Sequence, residues 1–402
     1  MLEKVFTPYK IGNMEVPNRL VVSAMVTNYN DTDGKVSERF IRYHEEKAKG
    51  GWGLIIPENY AVAFKGKSYP GIPGLWEDAQ IESHKRFTDI IHKYRSKVVA
   101  QIVHAGRQTA PVHIGGSAPQ SASAIPCPVM QQPTIALSNA EVYELIDVFG
   151  NAALRAKISG YDGVELHGAH GYLIAQFLSP YSNKRSDEFG GPLHNRLRFA
   201  CEIIKNIKRK AGNEYPILFR ISANELVDGG LTIEDVVTIA TILEDVGIDA
   251  IHISAGTYQA RYGIIPPAFV EHGWLTDYAA KVKKVVNIPV ITVGRINDIY
   301  MAEAMLKSDK ADFISMARAS LADPNMPNKA AADQHDDILR CIGCVQGCMP
   351  SGSPVIPMRC LVNPLIGREY EFDIKKTSKP KNVYIAGGGI CGCEAAIFAA
   401  KK

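Results

Sequence analysis

The chain is predicted to fold as a (β/α)8 barrel, followed by a cysteine-rich segment and the beginning of a second, Rossmann-like unit. Three observations predict this. Eight short apolar runs recur, each followed by a helical pattern; four cysteines then fall at close spacing; a glycine-rich turn comes near the end. Eight such units in a row suit a closed parallel barrel. A doubly wound sheet uses the same pattern but rarely needs eight.

The runs cover residues 20–22, 53–56, 98–102, 163–166, 217–220, 250–253, 289–293 and 313–316. They are mostly apolar rather than alternating, as strands buried on both faces should be. Ser37 is the expected N-cap of a helix over 38–49. Ser138 opens a capping box with Glu141 and leads a helix towards Ser159. Thr232 caps a helix through Val246, which Gly247 ends. Lys205, Lys208, Arg209 and Lys210 close an amphipathic pattern, where cations suit the helix C-terminus. Residues 106–137, rich in Pro, Gly, Ser and Ala, form a long connection of the kind that walls or covers an active site.

Composition excludes several classes. The 402 residues are 46% hydrophobic and 22% charged, enough for a large core and not for disorder. A net charge of +3 gives no reason to expect nucleic acid or a membrane as partner. Residues 1–10 lack the apolar stretch of a secretory signal, and no run of eighteen apolar residues exists. Eight cysteines in such a chain are expected to be free thiols or metal ligands in a reducing cytoplasm. Formation of a homo-oligomer is left open.

Chemistry in such a barrel sits at the C-terminal strand ends. Read in order, these supply Ser23 to Thr27, Glu58 and Asn59, Gln101 and His104, His167, Arg220, Ser254, Gly294 with Arg295, and Ala317 with Arg318. Strands seven and eight commonly end in a phosphate site. Arg220 closes an apolar strand and needs an anionic partner there; a core carboxylate or an electron-rich cofactor would serve. FMN meets both needs. His167 and His170, followed by Tyr172, can converge on one carbonyl: the imidazoles as hydrogen-bond donors, the hydroxyl as general acid. A metal pair and plain packing are the other readings of these histidines.

Cys341, Cys344, Cys348 and Cys360 are spaced C-x2-C-x3-C-x11-C, which suits an iron–sulfur cluster or a structural zinc. The stretch 383–386 reads as a strand, 394–400 as a helix, and Gly387-x-Gly389-x-x-Gly392 lies between them as a dinucleotide fingerprint. The acidic residue expected about 20 positions later falls past Lys402, so the second unit is expected to be truncated. The expected division is 1–330 for the barrel, 331–368 for the cluster segment and 369–402 for the linker and incomplete domain.

Longer motifs carry a resemblance. They are VPNRL at 16–20, AQIVHAGR at 100–107, HGAHGY at 167–172, FLSP at 177–180, NKRSDEFGG at 183–191, and Ala317-Arg318 with LADP at 321–324. With the cysteine spacing, the chain resembles the Old Yellow Enzyme family, and within it the iron–sulfur branch of 2,4-dienoyl-CoA reductase, 2-enoate reductases and bile-acid-inducible steroid oxidoreductases. The resemblance implies an FMN-dependent ene-reductase acting on an α,β-unsaturated carbonyl, with electrons arriving from NAD(P)H through FAD and a [4Fe–4S] cluster. It implies that Ser23, Ala24, Met25, Asn59 and Gln101 meet the flavin, that Arg220 lies by its electron-rich end, and that Gly294, Arg295, Ala317 and Arg318 hold its phosphate. It implies carbonyl binding by His167 and His170, protonation by Tyr172, cluster ligation by the four cysteines, and nucleotide binding by Gly387, Gly389 and Gly392. An amine dehydrogenase similar to trimethylamine dehydrogenase is the alternative. Val26 stands where that relative's flavin-bound cysteine would be, and Tyr258 where dienoyl-CoA reductases carry a histidine.

Overall fold

A computed structural model of the chain describes residues 2–349, 356–371 and 376–402. Residues 350–355 of the cluster segment and 372–375 of the linker lie outside the described residues. Eight parallel strands close into a barrel: β1 Leu20–Val22, β2 Leu54–Ile55, β3 Lys97–Val103, β4 Gly163–Gly168, β5 Ile217–Ser222, β6 Ala250–Ser254, β7 Val290–Thr292 and β8 Phe313–Ser315. Neighbours in sequence are neighbours in the sheet, and β8 closes on β1 through Ile314 opposite Leu20. All eight expected runs are strands. A short strand, Asn59–Ala61, extends the β2 connection along β3.

The outer ring contains α1 Glu38–Lys49, α2 Ile81–His92, α3 Asn139–Ile158, α4 Leu193–Ala211, α5 Ile233–Val246, α6 Thr276–Lys283, α7 Ile299–Lys307 and α8 Ala317–Ala322. The expected caps form. Ser37 accepts from the Phe40 amide, Ser138 and Glu141 exchange both bonds of a capping box, and Thr232 does the same with Asp235. Gly247 ends α5 at φ 107°, a conformation that favours glycine. Helix burial places Phe149 of α3 and Phe199 of α4 against each other, and each fully buried aromatic of this kind contributes about 3 kcal/mol relative to exposure.

The interior is divided along the barrel axis. At the N-terminal end Val21, Leu54, Val99, Leu218, Ile291 and Phe313 form a separate apolar cluster, which the antiparallel hairpin Tyr9–Ile11/Met14–Val16 plugs with Ile11, Met14 and Val16. Nothing in the run pattern announced this hairpin. Above that layer the interior turns polar.

The second unit departs from expectation. Residues 383–386 form no strand, and residues 376–391 are all exposed, with Gly392 half-buried. A strand needs a hydrogen-bonding neighbour, and none pairs with this stretch among the described residues. The helix is longer than expected, Ile390–Lys401, with no buried residue.

Candidate active site

The polar ring at the top of the barrel encloses one cavity of about 560 Å³. Most of the strand-end residues singled out above line it: Ser23, Ala24, Met25, Asn59 and Gln101 on one side, His167, His170, Tyr172 and Arg220 on another, and Gly294, Arg295, Ala317 and Arg318 at the β7–β8 end, whereas Thr27, Glu58 and His104 are not part of its lining. Cys341 and Cys348 also reach it. The loop after β3 supplies Gln108, His113, Val129 and Met130, and the segment after β6 supplies Tyr258, Arg261 and Ile264 to Pro266. The long connection 106–137, expected to wall an active site, therefore reaches this cavity.

β4 delivers the histidines. The chain leaves the strand at Gly168, and His170 takes a left-handed backbone (φ 58°) that turns its ring inward. The His170 amide donates to Ser222 Oγ at 3.0 Å, and His170 Nε2 lies 2.7 Å from Ser254 Oγ. His167 Nδ1 accepts from the Ala169 amide at 3.4 Å, which leaves the ring proton on Nε2. The two rings are 5.0 Å apart, and His167 is 4.7 Å from the Tyr172 ring. Burial, reinforced by the Arg220 charge, holds both imidazoles well below their ordinary pKa, so both are neutral near pH 7.

Tyr172 is 6% exposed, and its hydroxyl stands 2.9 Å from that of Tyr258. Burial and then Tyr258 push its pKa well above the ordinary 10, so it keeps its proton. Tyr258 was legible only as a departure from a histidine; its bond to Tyr172 depends on how the β6 connection folds.

Arg220 is buried. Its Nη2 donates to Ser254 Oγ at 3.4 Å, and its Nε has no protein partner. Below it Glu165, fully buried, accepts from Gln101 Nε2 at 2.6 Å and meets His252 Nδ1 at 2.8 Å. Glu58, also fully buried, accepts from the Thr27 amide at 2.8 Å, from the Thr27 hydroxyl at 2.7 Å and from the Tyr69 hydroxyl. Burial raises Glu58 to about 7. Tyr69, which the sequence reading missed, lines the cavity.

At the β7–β8 end Gly294 and Arg295 both have positive φ, 127° and 52°. Arg295 Nη1 donates to the Ala268 carbonyl at 2.6 Å and to that of Val270, and Arg318 Nη2 donates to the Pro266 carbonyl at 2.8 Å. Both guanidiniums thus brace the segment 266–270 as well as facing the cavity. Arg318 Nη1 is buried with no protein partner.

The four cysteines are free and partly buried. Burial raises Cys348 to about 11, with Cys341, Cys344 and Cys360 adding to the rise. Among the described residues no three His, Cys, Asp or Glu side chains converge tightly enough for a single metal ion. The segment is tied to the barrel: Asn297 Nδ2 donates to the Cys341 carbonyl at 2.7 Å, and the Met358 amide to the Thr27 carbonyl at 2.8 Å. Gly387, Gly389 and Gly392 are not among the residues that line this cavity.

Residues 4–337 match the NADH:flavin oxidoreductase / NADH oxidase family. The chain is 42% identical over 403 residues to an NADH oxidase of Thermoanaerobacter brockii, covering 99% of the chain and 62% of that relative. It is 36% identical to a cinnamate reductase of Clostridium sporogenes, covering 98% and 63%. A solved 2-naphthoyl-CoA reductase in complex with 2-naphthoyl-CoA superposes with a TM-score of 0.95 at 34% identity, covering 100% of this chain and 63% of that one. The chain therefore spans about three fifths of the length of these relatives. No helix among the described residues is long and apolar enough to cross a membrane.

Proposed function

The chain belongs to the NADH:flavin oxidoreductase / NADH oxidase family, and from that premise we propose that it reduces a C=C bond conjugated to a carbonyl, with FMN as resident cofactor. The observation that carries this reading is the sharing of one cavity by Tyr172, His167 and His170 with Gln101, Arg220 and the β7–β8 loop. The residues fit FMN. Arg220 Nε and Arg318 Nη1 are buried donors without protein partners, at positions suited to a flavin's electron-rich edge and to its phosphate. Such buried donors are costly unless something accepts from them.

Bound there, FMN would supply the hydride for the β-carbon. The rest falls to this chain's own side chains. Neutral His167 donates Nε2–H to the substrate carbonyl, and His170 donates Nδ1–H when Ser254 occupies its Nε2. Both stabilise negative charge developing on that oxygen. Tyr172 delivers its phenolic proton to the α-carbon, and the Tyr258 hydroxyl steadies it. The substrate class is an enoate, an enoyl- or dienoyl-CoA, or a steroid enone; the cinnamate reductase relative favours an aryl enoate.

The four cysteines are proposed as ligands of a [4Fe–4S] cluster. Four cysteine thiols at this spacing are the donor set such a cluster takes. The Gly387-x-Gly389-x-x-Gly392 loop is proposed as the phosphate loop of an FAD or NAD(P)H site. Gly387 has φ 100°, and a Cβ on Gly392 would come within 1.9 Å of the Gly387 carbonyl, so both positions call for glycine. In this scheme NAD(P)H would reduce FAD, and the cluster would carry electrons to the barrel.

An anaerobic substrate panel tests the reading. Protein reconstituted with FMN, iron and sulfide is reduced with dithionite and mixed with cinnamate, an enoyl-CoA or a steroid enone, and a portion with its flavin left oxidised is mixed with a tertiary amine. Reoxidation by one or more of the unsaturated carbonyls is expected. Failure to bind flavin, or flavin reduction by the amine alone, would sink it.

A further inference from the structure

Beneath the cavity lies a carboxylate that the reaction above does not use. Glu165 sits in mid-β4, in register with Gln101 of β3, and is 0% exposed. Burial by itself would raise its pKa, but His252, Arg220 and Gln101 outweigh burial and hold it below the usual carboxylate range. It is therefore ionised near neutrality, and an ionised carboxylate only accepts hydrogen bonds. The 2.6 Å contact from Gln101 must then come from the carboxamide NH2. That fixes the orientation of an amide whose oxygen and nitrogen are otherwise interchangeable. With its NH2 turned down to Glu165, Gln101 presents its carbonyl oxygen to the cavity it lines.

The other Glu165 oxygen faces His252 Nδ1 at 2.8 Å. Burial lowers the His252 pKa, so the ring is neutral and the pair carries one negative charge. Arg220 stands in register with His252 on the next strand. Burial lowers the Arg220 pKa, and Glu165 is the larger of the two groups that oppose this. One buried anion thus orients the amide and offsets the cation.

We propose that Glu165 is a positioning residue of the cofactor site: it turns the Gln101 carbonyl towards the cavity, so that the site selects a ring N–H on the bound cofactor, and it restrains the Arg220 cation from over-stabilising the reduced form. This rests on the reading of the cavity as an FMN site. His252 is the brace that keeps the carboxylate in place.

The test uses FMN-loaded protein and two readouts other than turnover: the FMN dissociation constant and the midpoint potential of the bound flavin. In Glu165→Gln the amide at 165 no longer dictates the Gln101 orientation, and one buried negative charge is gone. FMN is expected to bind about tenfold more weakly, the effect of one mispaired buried polar contact. The reduced form is expected to gain about tenfold over the oxidised form, which for a two-electron couple raises the potential by about 30 mV. A merely structural role would lower thermal stability without raising the potential. An unchanged or lowered potential in folded Glu165→Gln overturns the proposal. If that variant does not fold, the double variant Glu165→Leu/His252→Leu removes the pair as a unit, and the same two shifts are expected of it. Wild-type protein that binds no FMN would instead overturn the cofactor reading; wild type that binds FMN beside an indistinguishable variant overturns only the role of Glu165.

Discussion

The hydroxyl of Tyr172 lies 2.9 Å from the hydroxyl of Tyr258, and the first ring is buried and the second partly buried. Two phenols at this distance share one hydrogen bond, so Tyr258 sets where the Tyr172 proton points. Tyr172→Phe is expected to lower the rate of substrate-dependent flavin reoxidation by about 10²-fold or more, the usual worth of a positioned acid. Tyr258→Phe leaves the acid in place and removes only its partner; a loss of about tenfold is expected, on the scale of one hydrogen bond. Stopped-flow spectroscopy under anaerobic conditions separates the two. A larger loss in Tyr258→Phe than in Tyr172→Phe would mean that Tyr258, not Tyr172, delivers the proton.

Neutral imidazoles bind the carbonyl in this account. Burial and Arg220 depress both His167 and His170, so neither gains a proton as pH falls from 8 to 6. The pH profile of kcat/KM should therefore show no inflection between pH 6 and 7 that disappears in His167→Ala. Such an inflection would contradict the neutral state.

Glu58 makes a stability prediction of its own. Its folded pKa is raised, to about 7, so the fold prefers its protonated form. The stability it contributes is present below the ordinary pKa of 4.5 and is lost as pH rises through about 7. Each unit is about 1.4 kcal/mol, giving a loss of up to about 3 kcal/mol across that window. Glu58→Gln should lack the loss and should gain on wild type as pH rises. Urea unfolding at pH 5 and pH 8 measures the difference; parallel behaviour of the two proteins would refute it.

The cysteine reading predicts separable cofactors. Cys344 does not line the main cavity, so Cys344→Ser should abolish stoichiometric iron while FMN affinity stays within about threefold, well under the tenfold of 1.4 kcal/mol. Colorimetric iron analysis beside flavin fluorescence reads both. Full iron content in the variant would show that Cys344 is not a ligand.

The strands were legible because all eight carry apolar runs, and the caps at Ser37, Ser138 and Thr232 because side-chain capping is a local act. The polar strand ends were legible because the barrel fixes which end bears chemistry. Three features were not. The hairpin plug Tyr9–Ile11/Met14–Val16 is only two three-residue strands, too short to register as a pattern. The Glu165–His252 pair joins β4 and β6, whose side chains meet only across the closed interior. Tyr69 reaches Glu58 through a loop whose path no periodicity records. In the other direction, residues 383–386 have strand composition, yet form no strand without a paired neighbour.

The most direct test of the account is a single anaerobic turnover. FMN-loaded protein, reduced with dithionite, is mixed with the best unsaturated carbonyl of the panel, in wild type and in Tyr172→Phe. The account predicts flavin reoxidation with one equivalent of saturated product in wild type, slowed by about 10²-fold or more in the variant. Reduced flavin that no unsaturated carbonyl reoxidises, or a variant as fast as wild type, would contradict it.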